Sequence, residues 1–236
     1  MTEPHPIVSR AQWTTARQQL LAREKELTVL RERIAEQRRE LPWVRVDEPY
    51  SFEGPRGTLT LADSFAGRSQ LVVYHFMFRP DWEQGCKSCS FWADSFNGVV
   101  DHLAQRDVTF VAISRAPLAK LSAFARRLGW TFPWLSSFAC DFNRDFGVTL
   151  DPEQLASGRA VYNYAPAKGS QPELPGISVF YRDASGAVFH TYSCYSRGID
   201  ALNTAYGYLD LVPKGRDEAG LPYPMAWVKH RDQYER

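Results

Sequence analysis

Cys86-Lys87-Ser88-Cys89 places two thiols three positions apart, directly ahead of a helix-forming stretch. If a helix begins near Cys86, that spacing sets the sulfurs one turn apart on one face. The first thiol then lies where free backbone amides and the positive helix end stabilise a thiolate. The second is partly covered and can attack a mixed disulfide. The spacing therefore predicts dithiol–disulfide chemistry, with Cys86 as nucleophile and Cys89 as resolving thiol. Lys87 can favour the thiolate through its charge or project into water with little effect. Trp82 can shield the loop or offer a flat contact surface, against the simpler role of packing.

The stretch that must position this pair is Leu71–Asn97, in which an apolar run ends at Phe78 and a polar, Pro-containing link leads to the cysteines. Leu71–Phe78 has the valine and aromatic content of a central strand covered on both faces. A helix is predicted over Phe91–Leu103, a strand over Val108–Ser114, and a helix from Pro117 to Leu128 ended by Gly129,. Crossovers of this length suit parallel strands. Trp130–Asn143 reads as a loop and Phe146–Leu150 as a short strand. Asp151–Glu173, with Gly158, Pro166, Gly169 and Pro172, reads as an irregular insertion,. Gly176–Tyr181 and Ala187–Tyr192 flank a turn at Asp183-Ala184-Ser185-Gly186 and form a hairpin,. A final helix is expected over Gly198–Leu211. Upstream, Tyr50–Leu61 reads as short strands or a hairpin, and Ser9 to about Arg39 as one long helix with a Ser9/Gln12 capping box,. Leu20, Leu27, Ile34 and Leu41 recur every seven residues, so this helix can lie against the domain or pair with a second copy as a homodimer,.

Two other assignments compete for the cysteine pair, half of a zinc site and two inert thiols. No second close pair exists, and His75, His102 and His190 form no ligand spacing with it,. The order strand, loop, pair, helix favours redox chemistry, and no metal or cofactor site is read from the sequence. In a thioredoxin-like fold, Pro175 before the strand Gly176–Tyr181 can adopt the cis form and bring backbone groups beside the thiols, or it can introduce the strand in trans. His75, inside the strand before the pair, can exchange protons with the second thiol or serve as a core histidine. Arg115 ends a parallel strand, at the edge where sites form. Asp81 and Glu83 are expected to face water, and Cys140 and Cys194 to be structural thiols.

The chain has 236 residues, and 28 Lys and Arg against 27 Asp and Glu leave a formal charge of +1, which offers no argument for nucleic-acid binding,. No apolar run approaches a membrane span, and the N-terminal MTEPHPIVSR has no signal-like core,. One close pair and two single cysteines do not make a secreted scaffold, so a soluble, cytoplasmic protein is expected. The organisation expected is an N-terminal helical extension over 1–45, a thioredoxin-like domain over 46–212 and a tail over 213–236.

The stretches ARQQLLAREKELT, ELPWVRV, LTLADSFAGRSQLVVYHFMF, DWEQGCKSCSFWADSFNG, DVTFVAISRAPLAK, GWTFPWLSS, DFNRDFGV, LPGISVFYRDASGAVFHTYS, YLDLVPKGRDE and PMAWVKH resemble, in combination, the thioredoxin-like family catalogued as domain of unknown function 899. Its members are described as predicted dithiol-disulfide oxidoreductases. The resemblance implies a thioredoxin-like α/β sandwich with a central mixed sheet and an N-terminal helical extension, and matches Cys86 and Cys89 to the family's cysteine pair. The layout is also similar to that of peroxiredoxin-type proteins, in the LADSFAGRSQLVVYHF approach and the SVFYRDASG hairpin. Those proteins carry a Thr or Ser shortly before the reactive cysteine and an arginine aimed at it, whereas Trp82–Gly85 precedes Cys86 here. The expected activity is thiol–disulfide exchange with a thiol or disulfide substrate; a thiol peroxidase and a non-catalytic thioredoxin-like binding protein are the alternatives.

Overall fold

The computed structural model describes residues 5–235. The chain divides into two compact units, 1–42 and 43–236, so the tail belongs to the second unit. The first unit is built on helix α1 (Arg10–Arg39). Its capping box is closed: the Ser9 hydroxyl accepts from the Gln12 amide, and the Gln12 side chain accepts from the Ser9 N–H,. The helix buries none of its residues, Leu20, Leu27 and Ile34 included. Exposed ion pairs such as Arg17–Glu24 at 2.7 Å and Arg23–Glu26 at 2.8 Å run along it; each contributes less than about 1 kcal/mol.

The second unit opens with β1 (Val44–Arg45), the hairpin β2 (Ser51–Gly54) and β3 (Gly57–Thr60), and the central strand β4 (Gln70–His75). Next come α2 (Lys87–Ala93), α3 (Val100–Ala104), β5 (Val108–Ser114), α4 (Leu118–Leu128) and β6 (Trp134–Ser136). Short helices α5 (Phe142–Asp145) and α6 (Pro152–Ala156) and the small hairpin β7 (Val161–Tyr162) and β8 (Ala165–Pro166) fill the irregular region. The long hairpin β9 (Gly176–Arg182) and β10 (Val188–Tyr195) leads to α7 (Thr204–Leu209). The main sheet runs β1-β10-β9-β4-β5-β6-β2-β3, with β4, β5 and β6 parallel and β9 antiparallel to β4. A parallel β4–helix–β5 unit followed by an antiparallel β9–β10 pair and a helix is the thioredoxin-like α/β arrangement, a mixed sheet with helices flanking it.

Alternation along β4 divides the core. Leu71 and Val73 face one layer with Ile113, Phe142 and Phe180, while Tyr74 and then Phe76 face the other with Trp92, Phe96, Phe124 and Trp134,. Several expectations need correcting. The single helix over Phe91–Leu103 is broken by a 3-10 turn at Phe96–Gly98. There Asn97 uses its side chain to bond Gly129 O and the amides of Thr131 and Phe132. The segment read as a loop contains β6, three buried residues too few to show a period. Phe146–Leu150 makes only an isolated bridge, Thr149 to Glu173. The last helix begins as a 3-10 stretch, Ser196–Leu202, and α7 starts anew where the Asn203 side chain caps the Tyr206 amide. Among the described residues no helix is long and apolar enough to cross a membrane.

Candidate active site

The backbone leaves β4 still extended, with the Phe76 amide bonded to Ile113 O, and then doubles back so that Met77 lies against the cysteine turn. The Cys86 N–H donates to Met77 O at 3.0 Å, and the Met77 N–H donates to Cys89 Sγ at 3.4 Å. One residue thus brackets both cysteines. Gly85 permits the approach, because a Cβ there would stand 2.8 Å from the Phe76 ring and 3.0 Å from the Phe124 ring. Cys86 is the N-cap of α2 and is half-buried, whereas Cys89 lies inside the helix at 1% exposure. Both are thiols, as are Cys140 and Cys194.

The two sulfurs have opposite ionisation biases. The Cys89 thiol, donating to Cys86 Sγ, is the largest influence lowering the Cys86 pKa to about 7; the amides of Cys89 and Ser88 and the Ser88 hydroxyl add to it, and burial opposes them,. Burial pushes Cys89 well above the ordinary thiol range, and its hydrogen bond to Cys86 adds to the rise. One proton therefore rests on the inner sulfur while the outer one ionises near neutrality. The Tyr74 hydroxyl has no hydrogen-bond partner of normal geometry, and the charges closest to it in effect are the two thiols, Cys89 first.

Other predicted residues are placed as follows. Pro175 lines a cavity of about 200 Å³ with Tyr74, Met77, Cys89, Trp92 and Met225. No cis peptide bond occurs among the described residues, so Pro175 is trans. Its segment is held extended by Leu174 N–H to Val148 O, and its carbonyl accepts from the Tyr162 hydroxyl at 2.6 Å. His75 is not brought to the thiols. Strand alternation turns it to the opposite layer, against the rings of Phe142 and Phe146. There its Nε2 meets Ser178 Oγ at 2.8 Å, in a buried chain continuing through Ser193 to His190. Burial depresses the His75 pKa to about 3, so the ring is neutral. The position facing the cysteines is Tyr74, one residue earlier. Lys87 directs its ammonium to Ala226 O at 3.1 Å. Trp82 packs at the edge of the cysteine-side core, its carbonyl accepting from Lys120. Arg115 lines a different cavity and pairs with Glu173 at 3.0 Å.

Sequence reasoning missed the tail. His230 Nε2 donates to Gly85 O at 2.9 Å, Arg127 holds Asp232 through two bonds and Gln84 through a third, and Met225 reaches the thiol cavity. The signal was present in the apolar and aromatic PMAWV run within a polar end.

Solved structures similar to this chain include peroxidoxin BcpB from Mycobacterium tuberculosis, at TM-score 0.45 and 16% identity over 69% of this chain and 90% of that one. A mutant of Xanthomonas campestris peroxiredoxin Q gives 0.49 and 14% over 72% and 97%. The mitochondrial 2-Cys peroxiredoxin from Plasmodium falciparum gives 0.42 and 12% over 71% and 92%. No curated protein matches the chain. The family model described as "Bacterial protein of unknown function (DUF899)" matches residues 2–234, and the chain belongs to that family.

Proposed function

We propose that this protein is a two-thiol oxidoreductase whose cycle passes through a Cys86–Cys89 disulfide. The observation that carries the reading is the bracketing of both cysteines by Met77, with the outer sulfur half-buried and the inner one enclosed. In the exchange reaction the Cys86 thiolate attacks a substrate disulfide, forming a mixed disulfide and releasing one thiolate. Cys89 then loses its proton to the departing sulfur and attacks Cys86 Sγ. A second thiol leaves, and the pair has given two electrons to the substrate.

A peroxide is the second oxidant that leads to the same bond. The Cys86 thiolate would attack one peroxide oxygen and release the other as alcohol or water, and the resulting sulfenic acid would condense with Cys89 and lose water. The LADSFAGRSQLVVYHF approach into β4 and the SVFYRDASG stretch of the β9–β10 hairpin, which the sequence likens to peroxiredoxins, favour this reading.

Titration of the reduced protein in glutathione buffers, with mass detection of the Cys86–Cys89 bond, tests the shared claim. Parallel stopped-flow reactions with hydrogen peroxide and with a small disulfide separate the oxidants. A two-proton mass loss confined to the peptide carrying both cysteines is expected. A pair that stays reduced in every buffer refutes the proposal.

A further inference from the structure

Beyond the cysteine turn lies a cavity of about 570 Å³ whose lining includes three arginines, Arg79, Arg115 and Arg144. This volume is in the range of small-molecule sites. Arg79 and Arg115 follow the C-terminal ends of the parallel strands β4 and β5, the edge at which open α/β sheets bind ligands,. The three arginines retain donors. Arg115, about a quarter exposed, gives only one nitrogen to Glu173. Arg79 chelates Asp81, which is itself 62% exposed, and Arg144 has a longer 3.3 Å contact with the exposed Asp141. These outer pairings face water and exchange readily with an incoming anion. Glu173 differs: its side chain is 3% exposed, and both its oxygens accept from Thr149. It fixes the Arg115 fork and trims the positive field of the ring, which suits singly charged carboxylates better than a doubly charged phosphate.

Two stretches of chain run from this cavity to the thiol site, where Met77 O accepts from the Cys86 N–H. Met77 lines the cysteine cavity and Arg79 the arginine cavity; Pro175 lines the first and Glu173 the second. Each pair is two residues apart, a reach of about 7 Å along extended chain. We infer that the arginine cavity binds the carboxylate of a small thiol or disulfide and orients its sulfur toward Cys86. The inference rests on the two-thiol reading and adds a substrate class to it.

The test compares two oxidants of similar length, dithiodipropionate with a carboxylate at each end and the neutral hydroxyethyl disulfide. Rates of Cys86–Cys89 bond formation are each divided by the rate of the same compound with a free small thiol. The normalised preference for the carboxylate compound is expected to be at least about 10-fold in the natural protein. It should fall several-fold in the double variant Arg79→Gln/Arg144→Gln, which leaves the Arg115–Glu173 pair intact. Glutarate should slow the dithiodipropionate reaction, and inorganic phosphate at equal ionic strength should not. Equal normalised rates, a preference retained in the double variant, or competition by phosphate alone would each overturn the inference while leaving the two-thiol reading standing. If neither compound oxidises a pair that glutathione buffer does oxidise, the inference fails alone; a pair that also stays reduced in every glutathione buffer sinks the two-thiol reading and the inference with it.

Discussion

Replacing Cys89 separates the two sources of Cys86 acidity. The Cys89 thiol is the largest influence holding the Cys86 pKa at about 7, ahead of the backbone amides. Cys89→Ala removes that donor and leaves the amides in place; Cys89→Ser keeps a hydroxyl donor at nearly the same position. A hydrogen bond to a charged group contributes about 1.5–3 kcal/mol, and about 1.4 kcal/mol corresponds to one pH unit. The alanine variant should therefore titrate at about 8 to 9, while the serine variant stays near the natural protein. The assay is the pH dependence of Cys86 alkylation by iodoacetamide, followed by mass spectrometry of its peptide. The midpoint is the quantity to read, because a thiolate of higher pKa is intrinsically more nucleophilic and partly hides the change at any single pH. An alanine variant that folds normally and still titrates near 7 would refute the reasoning and move the cause to the Ser88 and Cys89 amides.

Tyr74→Phe should leave stability unchanged or raise it by up to about 1 kcal/mol, because the hydroxyl is buried without a normal partner,. It should also slow closure of the Cys86–Cys89 bond, since the hydroxyl lowers the Cys89 pKa. Denaturant melts and quenched-flow alkylation measure the two effects, and a loss above about 1 kcal/mol would mean that the hydroxyl has a partner worth keeping. His75 yields a stability prediction. Its folded pKa of about 3 lies below the unfolded value, so the unfolded chain takes up the proton as pH falls from about 6.5 toward 3,. Stability from the neutral ring is complete above that window and is lost within it, by about 1.4 kcal/mol between pH 7.5 and 5.5. Urea melts of His75→Gln at the two pH values should lack that increment; an identical pH slope in both proteins would contradict the buried, neutral histidine.

The sequence made legible what is local. Cys86 and Cys89 are read from one tetrapeptide, β4 and β5 from continuous apolar runs, and α4 from Pro117 at one end and Gly129 in the left-handed conformation at the other. It left two roles open for His75, where the side chain's direction decides, and the structure shows the core histidine. His75 attracts notice as the titratable residue of its strand, yet a period of two turns it away from the thiols and turns Tyr74 toward them,. An apolar run covered on both faces carries no alternation from which to choose between them. The arginine cavity was invisible for a different reason. Arg79, Arg115, Arg144 and Glu173 come from four separate segments, and only the closing of the sheet brings them together.

Spacing alone does not make a thiolate, because the same four residues in a frayed turn would titrate as ordinary thiols. After the Cys89 thiol, the Cys89 and Ser88 amides lower the Cys86 pKa, and the residues on either side of Cys86 are tied from far along the chain. His230 holds Gly85 from 145 residues away, and Ala226 holds Lys87 from 139. Each such bond contributes about 1 kcal/mol. Together with the Phe76 and Phe124 rings that crowd Gly85, they hold the chain at the start of α2. Gly85 and Lys87 flank Cys86 on either side; the tail reaches the first through its backbone carbonyl and the second through its side-chain ammonium. The physical account of the site therefore begins at residue 225 as much as at residue 86. The tail is the part of the sequence that the cysteine spacing gave no reason to inspect.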